Sequence, residues 1–209
     1  TGQLCTNCPD AHKTLADIEK IYGDNVIIVS MHAGQSSSDN EQFGLRTPEG
    51  NDYANAAGIK SYPSAVVNRS GGVLDDRSRW QGAVFAETRK APRAHIAITA
   101  RKEGEEMVIE SQLSSLQTAL AGIYQLWVTE DSIKAFQLDG KKYIVDYEHN
   151  HVYRASVNGV GGESLMLNND GTQLIHRISI SPKWNIQNLS VVGFLYDKDG
   201  VIQAEQVHL

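Results

Sequence analysis

Cys5 and Cys8 are the only two cysteines in this 209-residue chain, and Pro9 follows them at once, opening a segment patterned like an amphipathic helix. Two thiols separated by two residues at a helix start are suited to thiol–disulfide chemistry. They can close into a small disulfide ring, and the helix dipole with its free backbone N–H groups favours thiolate over thiol. In that chemistry Cys5 attacks a substrate disulfide and Cys8 resolves the mixed disulfide by intramolecular displacement. The same pair can equally be inert, a fixed disulfide on a scaffold. A third use is metal binding: Cys5, Cys8 and His12 have suitable spacing, with Cys8 and His12 one helical turn apart. No fourth ligand is identifiable, so neither a metal nor a cofactor is expected.

Other residues with chemical potential have plainer readings. His32 follows an apolar run, at the edge where a dithiol could be tuned, but a hydrogen-bonded loop histidine explains it better. His149-Asn150-His151 at a strand start would point both imidazoles to one face, where they could hold a metal; a turn into a strand accounts for the residues as well. Asp197-Lys198-Asp199-Gly200 lacks the downstream glutamate of a calcium loop and reads as a hairpin turn. Asn68-Arg69-Ser70 and Asn188-Leu189-Ser190 fit the glycosylation triplet, which matters only in a eukaryotic secreted protein.

The elements that must hold the dithiol follow from periodicity. Between Pro9 and Tyr22, Ala11, Leu15, Ile18 and Tyr22 recur at helical spacing among charged residues, which predicts a surface helix entered through proline. Val26 to Met31 is a β-branched run with the pattern of a parallel strand buried on both faces. Residues 32–50 are polar and read as a surface excursion, and Asn51 to Gly58 as a short helix. Tyr62-Pro63 leads into an apolar strand, with Ser70-Gly71-Gly72 as the turn to a partner near Val73-Leu74. Val84 to Lys90 reads as a final helix stopped by Pro92.

Past Ala91 to Arg93 the texture changes. The stretches 94–102, 105–117, 122–130, 142–147, 151–157, 163–168, 172–181, 189–197 and 201–208 alternate apolar with polar residues, separated by turn signals such as Asp139-Gly140, Asn169-Asp170-Gly171 and Asp199-Gly200. Short alternating strands at this spacing argue for a β-sandwich. The expected fold is an α/β domain over 1–91 followed by an all-β sandwich over 92–209.

Bulk composition excludes several function classes. The 41% hydrophobic content suits a soluble protein with a sizeable core, and 25 acids against 19 bases give a net charge of −6 with no basic stripe for nucleic acid. No apolar run approaches the roughly 20 residues that span a bilayer. The abrupt start at Thr1-Gly2 reads as a processed or truncated product.

The Cys-x-x-Cys at a helix start, the apolar run after it and Ser61-Tyr62-Pro63 before a second strand and hairpin resemble the thioredoxin-like fold. That resemblance implies a cis-proline beside the dithiol, with Tyr62 and Pro63 receiving the bound peptide and Cys5 and Cys8 as the reacting pair. Two features depart from it. Thr6-Asn7 matches neither the Gly-Pro nor the Pro-His spacer of well-known relatives, and no central strand ending in aromatics precedes Cys5. Either that strand is missing or another segment replaces it. The order Thr1-Gly2-Gln3-x-Cys5-x-Asn7-Cys8-Pro9, the Tyr-Pro-Ser around Pro63, and His149-Asn150-His151-Val152-Tyr153-Arg154 with Gly162-Glu163 ten residues on resemble the Omp28-related family. These are envelope proteins, often lipoproteins, of Bacteroides-type bacteria. The resemblance implies an exported protein of the cell envelope, outer membrane-associated or periplasmic, held by an N-terminal lipid on residues outside this chain. Its partners would be protein thiols and disulfides or another envelope protein.

Overall fold

The computed structural model describes residues 1–209. In chain order the elements are α1 (Cys8–Tyr22), α2 (Pro48–Ala56), β1 (Ala65–Val67), β2 (Ser70–Leu74), α3 (Trp80–Thr88), β3 (Ala94–Glu103), β4 (Glu106–Ser115), β5 (Leu120–Glu130), β6 (Ile133–Asp139), β7 (Lys142–His149), β8 (Val152–Ser156), β9 (Glu163–Leu167), β10 (Thr172–Ser179), β11 (Leu189–Asp197) and β12 (Gly200–His208). They fall into two compact units, Thr1–Lys90 with Asp131–Tyr153, and Ala91–Glu130 with Arg154–Leu209. The expected division after residue 91 therefore meets one of three crossings. Residues 131–153, which the sequence assigns to the sandwich, belong with the first unit, because alternation marks a strand without saying which layer receives it.

In the first unit, Pro9 sits in the first turn of α1, where a missing N–H leaves no helical bond unmade. The buried face of α1, Ala11 and Ile18 with Leu15 and Tyr22 beside them, packs with Leu74 of β2 and Trp80 of α3. Trp80 closes this core by donating its indole N–H to Leu74 O at 3.0 Å. In α2, Thr47 caps the helix by accepting from the Gly50 N–H at 3.0 Å, with Pro48 in the first turn.

Several expectations for this unit need correction. Val26 to Met31 forms no strand ladder: only Ser30 bridges, in parallel, to Val152. The Ser30 N–H donates to His151 O at 2.7 Å, and the Tyr153 N–H to Ser30 O at 3.1 Å. A β-branched run reports burial, whereas a ladder also needs an extended neighbour of equal length. Residues 32–50 are not wholly a surface excursion, since His32, Ala33, Ser37, Leu45 and Gly50 are buried. The β1–β2 turn is Asn68-Arg69, both at positive φ, with Val67 paired to Ser70; Gly71 and Gly72 lie inside β2. A two-residue loop with both φ values positive matches the strand twist, and asparagine tolerates that region. The helices start earlier than predicted, at Pro48 rather than Asn51 and at Trp80 rather than Val84.

In the second unit the eight predicted strands all form, within a few residues of their expected limits. β10, β4 and β3 make a three-stranded antiparallel sheet; β12, β11, β5 and β8 make the path of a five-stranded one, with β9 also on β5. Ile96, Ile98, Met107, Ile109 and Leu113 from the first sheet share one buried cluster with Leu120, Tyr124, Leu126, Val128, Val191 and Leu195 from the second.

The Gly162-Glu163 pair has a structural role here. Gly162 has φ +62°, and a Cβ on it would stand 2.5 Å from Tyr124 O. Glu163 reaches His176 at 2.8 Å and accepts from Asn158 Nδ2 at 3.3 Å. Asn158 in turn accepts from the Leu126 N–H at 2.9 Å and donates to Tyr124 O at 2.9 Å. Gly162→Ala should destabilise this unit by about 2–3 kcal/mol, from left-handed strain plus the backbone clash. Urea unfolding followed by Trp fluorescence checks it; a loss below about 0.5 kcal/mol would show that the loop simply moves aside.

Candidate functional site

Cys5 and Cys8 are joined in a disulfide, with Cα atoms 5.4 Å apart. Cys8 is the first residue of α1 and Cys5 lies in the turn before it, where the Cys5 N–H donates to Gly2 O and the Cys8 N–H to Cys5 O. The pair is deeply placed: Cys5 is 7% and Cys8 0% exposed.

What covers the turn is β6, the one strand the sequence does not predict. The Leu138 N–H donates to Gln3 O at 2.8 Å and the Gly140 N–H to Thr6 O at 3.0 Å. The Gln137 amide reaches Gly2 O at 3.2 Å and Cys5 O at 3.0 Å. Gln3, fully buried, completes the strap: its Nε2 donates to Phe43 O at 2.8 Å and Phe136 O at 3.3 Å, and its Oε1 accepts from the Leu45 N–H at 3.0 Å. β6 pairs antiparallel with β7, so the 131–153 hairpin is fastened across the Cys5–Cys8 turn.

The opening Thr-Gly-Gln of the motif is explained by packing. The Thr1 carbonyl accepts from the Ala33 N–H at 3.3 Å and from Ser37 Oγ at 3.2 Å. A Cβ on Gly2 would stand 2.1 Å from Ser36 O, so no side chain fits there. Gln3 supplies the three bonds just named.

Beside the strap lies a cleft of about 270 Å³ lined by His12 of α1, His32, and Tyr147 and His149 of β7. The His32 and His149 ring centroids are 5.2 Å apart, and those of His12 and His149 6.3 Å. His12 Nδ1 and Tyr147 Oη are 2.9 Å apart, and His12 Nε2 lies 2.9 Å from Thr1 Oγ1. His149 Nε2 faces Phe136 O at 3.3 Å, while its Nδ1 and both ring nitrogens of His32 are buried without a hydrogen-bond partner. Burial pushes the His12 imidazole down to about 4, helped by repulsion from His149, and pushes His149 down to about 4; it holds His32 well below the usual range. All three are neutral at neutral pH.

The predicted site residues are thus partly brought together. The dithiol is a closed disulfide, and His12 is committed to Thr1 and Tyr147 instead of joining the cysteines. Tyr62-Pro63 has a cis peptide bond. The Tyr62 ring packs over Gly34, and with Arg46, Asn51 and Asn55 it lines a second cleft of about 260 Å³. His149 and His151 do not share a strand face. His149 ends β7 and turns inward, whereas His151, at φ 57°, lies 3.4 Å from Asp131 and 3.6 Å from Glu19. Sequence reasoning missed Gln3, Gln137 and the meeting of His12 with His32 and His149, contacts made by residues up to about 135 positions apart in the chain.

No curated protein matches the chain. HBP35 of Porphyromonas gingivalis has a similar structure, with a TM-score of 0.78 at 14% identity, over all of this chain and 73% of that one; this likeness is one of fold. A domain of the outer membrane lipoprotein Omp28 from Porphyromonas gingivalis aligns with 56% of this chain and 95% of its own at 19% identity and a TM-score of 0.42. The family model described as outer membrane protein Omp28 matches residues 50–209. The chain therefore belongs to the Omp28 family, and its place is the cell envelope.

Proposed function

We propose that the protein is a binding or assembly module of the envelope, built from a thioredoxin-like first unit and a β-sandwich, in which the Cys5–Cys8 disulfide is a structural staple. The observation that carries this reading is the burial of both sulfur-bearing residues beneath β6. Disulfide exchange proceeds by in-line attack of a thiolate on an accessible sulfur, and a pair strapped on its open side offers no such approach. A buried staple, closed to the attacking thiolate, also resists the glutathione pool.

The reading predicts that Cys5→Ser/Cys8→Ser still binds its partner. The double variant should lose only about 2 kcal/mol of stability, because the closed ring is short and the chain entropy it removes is small. Chemical denaturation with and without reductant checks the figure. In the native chain at neutral pH, glutathione should leave the disulfide intact while it reduces an unfolded control. Rapid reduction by glutathione overturns the staple.

A second reading is favoured by the place of Cys8 at the start of α1, where the helix dipole would stabilise a thiolate once the pair is reduced. It makes the protein a thiol–disulfide oxidoreductase with Cys5 as nucleophile, Cys8 as resolving thiol and Tyr62-Pro63 as the peptide-binding loop. Insulin reduction decides it: parent and Cys5→Ser chains with equal rates exclude the enzyme.

A further inference from the structure

We propose that His12, His32 and His149 form an acid-operated latch that holds the β6–β7 hairpin over the Cys5–Cys8 turn, so that acidification uncovers the disulfide. The inference rests on the strapped, buried disulfide described above and not on what the protein binds.

The geometry carries the argument. The three imidazoles come from the three parts that the strap joins: His12 from α1, His32 from the segment after Met31, and His149 from the last position of β7. Their rings lie within 5.2 and 6.3 Å of one another around a single cleft, and His32 and His149 are each 2% exposed. Three of their ring nitrogens are buried without a hydrogen-bond partner, and a proton placed on these rings faces only neutral backbone carbonyls, of Ser30 near His32 and of Phe136 and Ala135 near His149. A protonated imidazole is a charge, and a buried charge without a counter-ion is strongly disfavoured. A second proton on a neighbouring ring adds like-charge repulsion.

The charged groups around the cleft do not compensate. On α1, Lys13 is cationic and is pulled away by Asp10 at 2.9 Å. Glu19 lines the far end of the cleft and pairs with His151, which Asp131 also holds. On β7, Glu148 pairs outward with Lys134 at 2.7 Å, and Tyr147 is neutral. From the segment before Cys5, the Thr1 nitrogen donates to Met31 O at 2.9 Å and brings no negative charge to the cleft. No carboxylate is hydrogen-bonded to the three imidazoles.

The sign follows from linkage. These groups have folded values depressed below the ordinary 6.5, so the closed state is fully stable above that pH and loses stability as pH falls from about 6.5 toward about 4. At pH 5 each of His12 and His149 shifts the balance toward opening by about thirtyfold. Opening by the hairpin frees Leu138, Gly140 and Gln137 from the 2–6 segment, which is what shields the sulfurs.

The test is the rate of disulfide reduction by a phosphine reductant, measured by alkylation and mass spectrometry. It is divided at each pH by the rate for the isolated Cys-Thr-Asn-Cys disulfide peptide. The ratio should rise at least about thirtyfold between pH 7.5 and pH 5, and His149→Gln should cut that rise severalfold while exposed His95→Gln leaves it intact. A ratio independent of pH in the native chain overturns the latch, as does a rise undiminished by His149→Gln. If His149→Gln fails to fold, amide exchange in the native chain decides: the Leu138 and Gly140 N–H groups should lose protection at pH 5 while those of β5 and β11 keep theirs. Loss of protection everywhere together would mean global acid unfolding and would overturn a local latch. Rapid glutathione reduction of the native chain at neutral pH would show that the closed hairpin does not shield the disulfide, and would overturn the latch together with the staple.

Discussion

Replacing Gln3 with methionine, which keeps the length and shape of the side chain, should cost about 3–5 kcal/mol and loosen the hairpin from the cysteine turn. Gln3 makes three hydrogen bonds in a fully buried setting, two from its amide nitrogen to Phe43 O and Phe136 O and one accepted from the Leu45 N–H. Methionine removes the side chain's own polar atoms but leaves two carbonyls and one N–H behind. Each buried backbone group without a partner costs about 1–3 kcal/mol. Hydrophobic gain from the thioether offsets part of this, which keeps the estimate at the lower half of the sum. The measurement is denaturant unfolding together with amide exchange at Leu138, whose N–H is the bond from β6 to Gln3 O. A loss below about 1 kcal/mol would mean that water takes over the three groups, and that the 2–6 segment is not held by its interior.

The second large effect is expected in the other unit, at the pair of Arg154 and Glu130. Arg154 Nε lies 3.2 Å from Glu130 Oε2, with both side chains largely buried. Glu130 Oε1 also accepts from the Asn185 N–H at 2.7 Å, and the guanidinium lies over the Trp184 ring at 5.9 Å. Burial pushes Arg154 down from its ordinary value, and Glu130 acts against that shift. Arg154→Met leaves a buried carboxylate with its main counter-charge gone, a change of about 3–5 kcal/mol. The double variant Arg154→Met/Glu130→Gln should recover at least half of the loss, since desolvation of both ions is relieved together. Thermal melts of the parent, the two single variants and the double variant complete the cycle. Additive losses would show that the two charges act independently, contrary to the geometry.

The two predictions rest on burial that the sequence does not record, although Gln3 and Arg154 stand inside the motifs that carry the family resemblance. Gln3, in the short lead-in before Cys5, and Glu130, at a strand end, carry no local signal of burial. Each is buried because residues far away in the chain close over it: β6 over Gln3, and Asn185 beside Glu130. Burial of a polar side chain depends on those distant partners, and periodicity carries no information about them.

Local patterns determined a great deal. The helix after Pro9, the eight strands of the second unit and the turns at Asp139-Gly140 and Asp199-Gly200 follow from apolar spacing, proline and glycine placement, all of which act over a few residues. The adjacent Cys5 and Cys8 were legible as a pair because they are close in the chain, and the family resemblance rested on contiguous motifs of the same kind. Tertiary structure alone decided the rest. It gave the 131–153 hairpin to the first unit and put His151–Tyr153 beside Ser30 in parallel, where the sequence left open whether another segment replaces a central strand. It also buried the disulfide under β6 and gathered His12, His32 and His149 around one cleft. These outcomes depend on contacts between residues tens to more than a hundred positions apart, whose free energy comes from burying shared surface. That energy exists only when both partners are in place, so no single stretch of sequence records it.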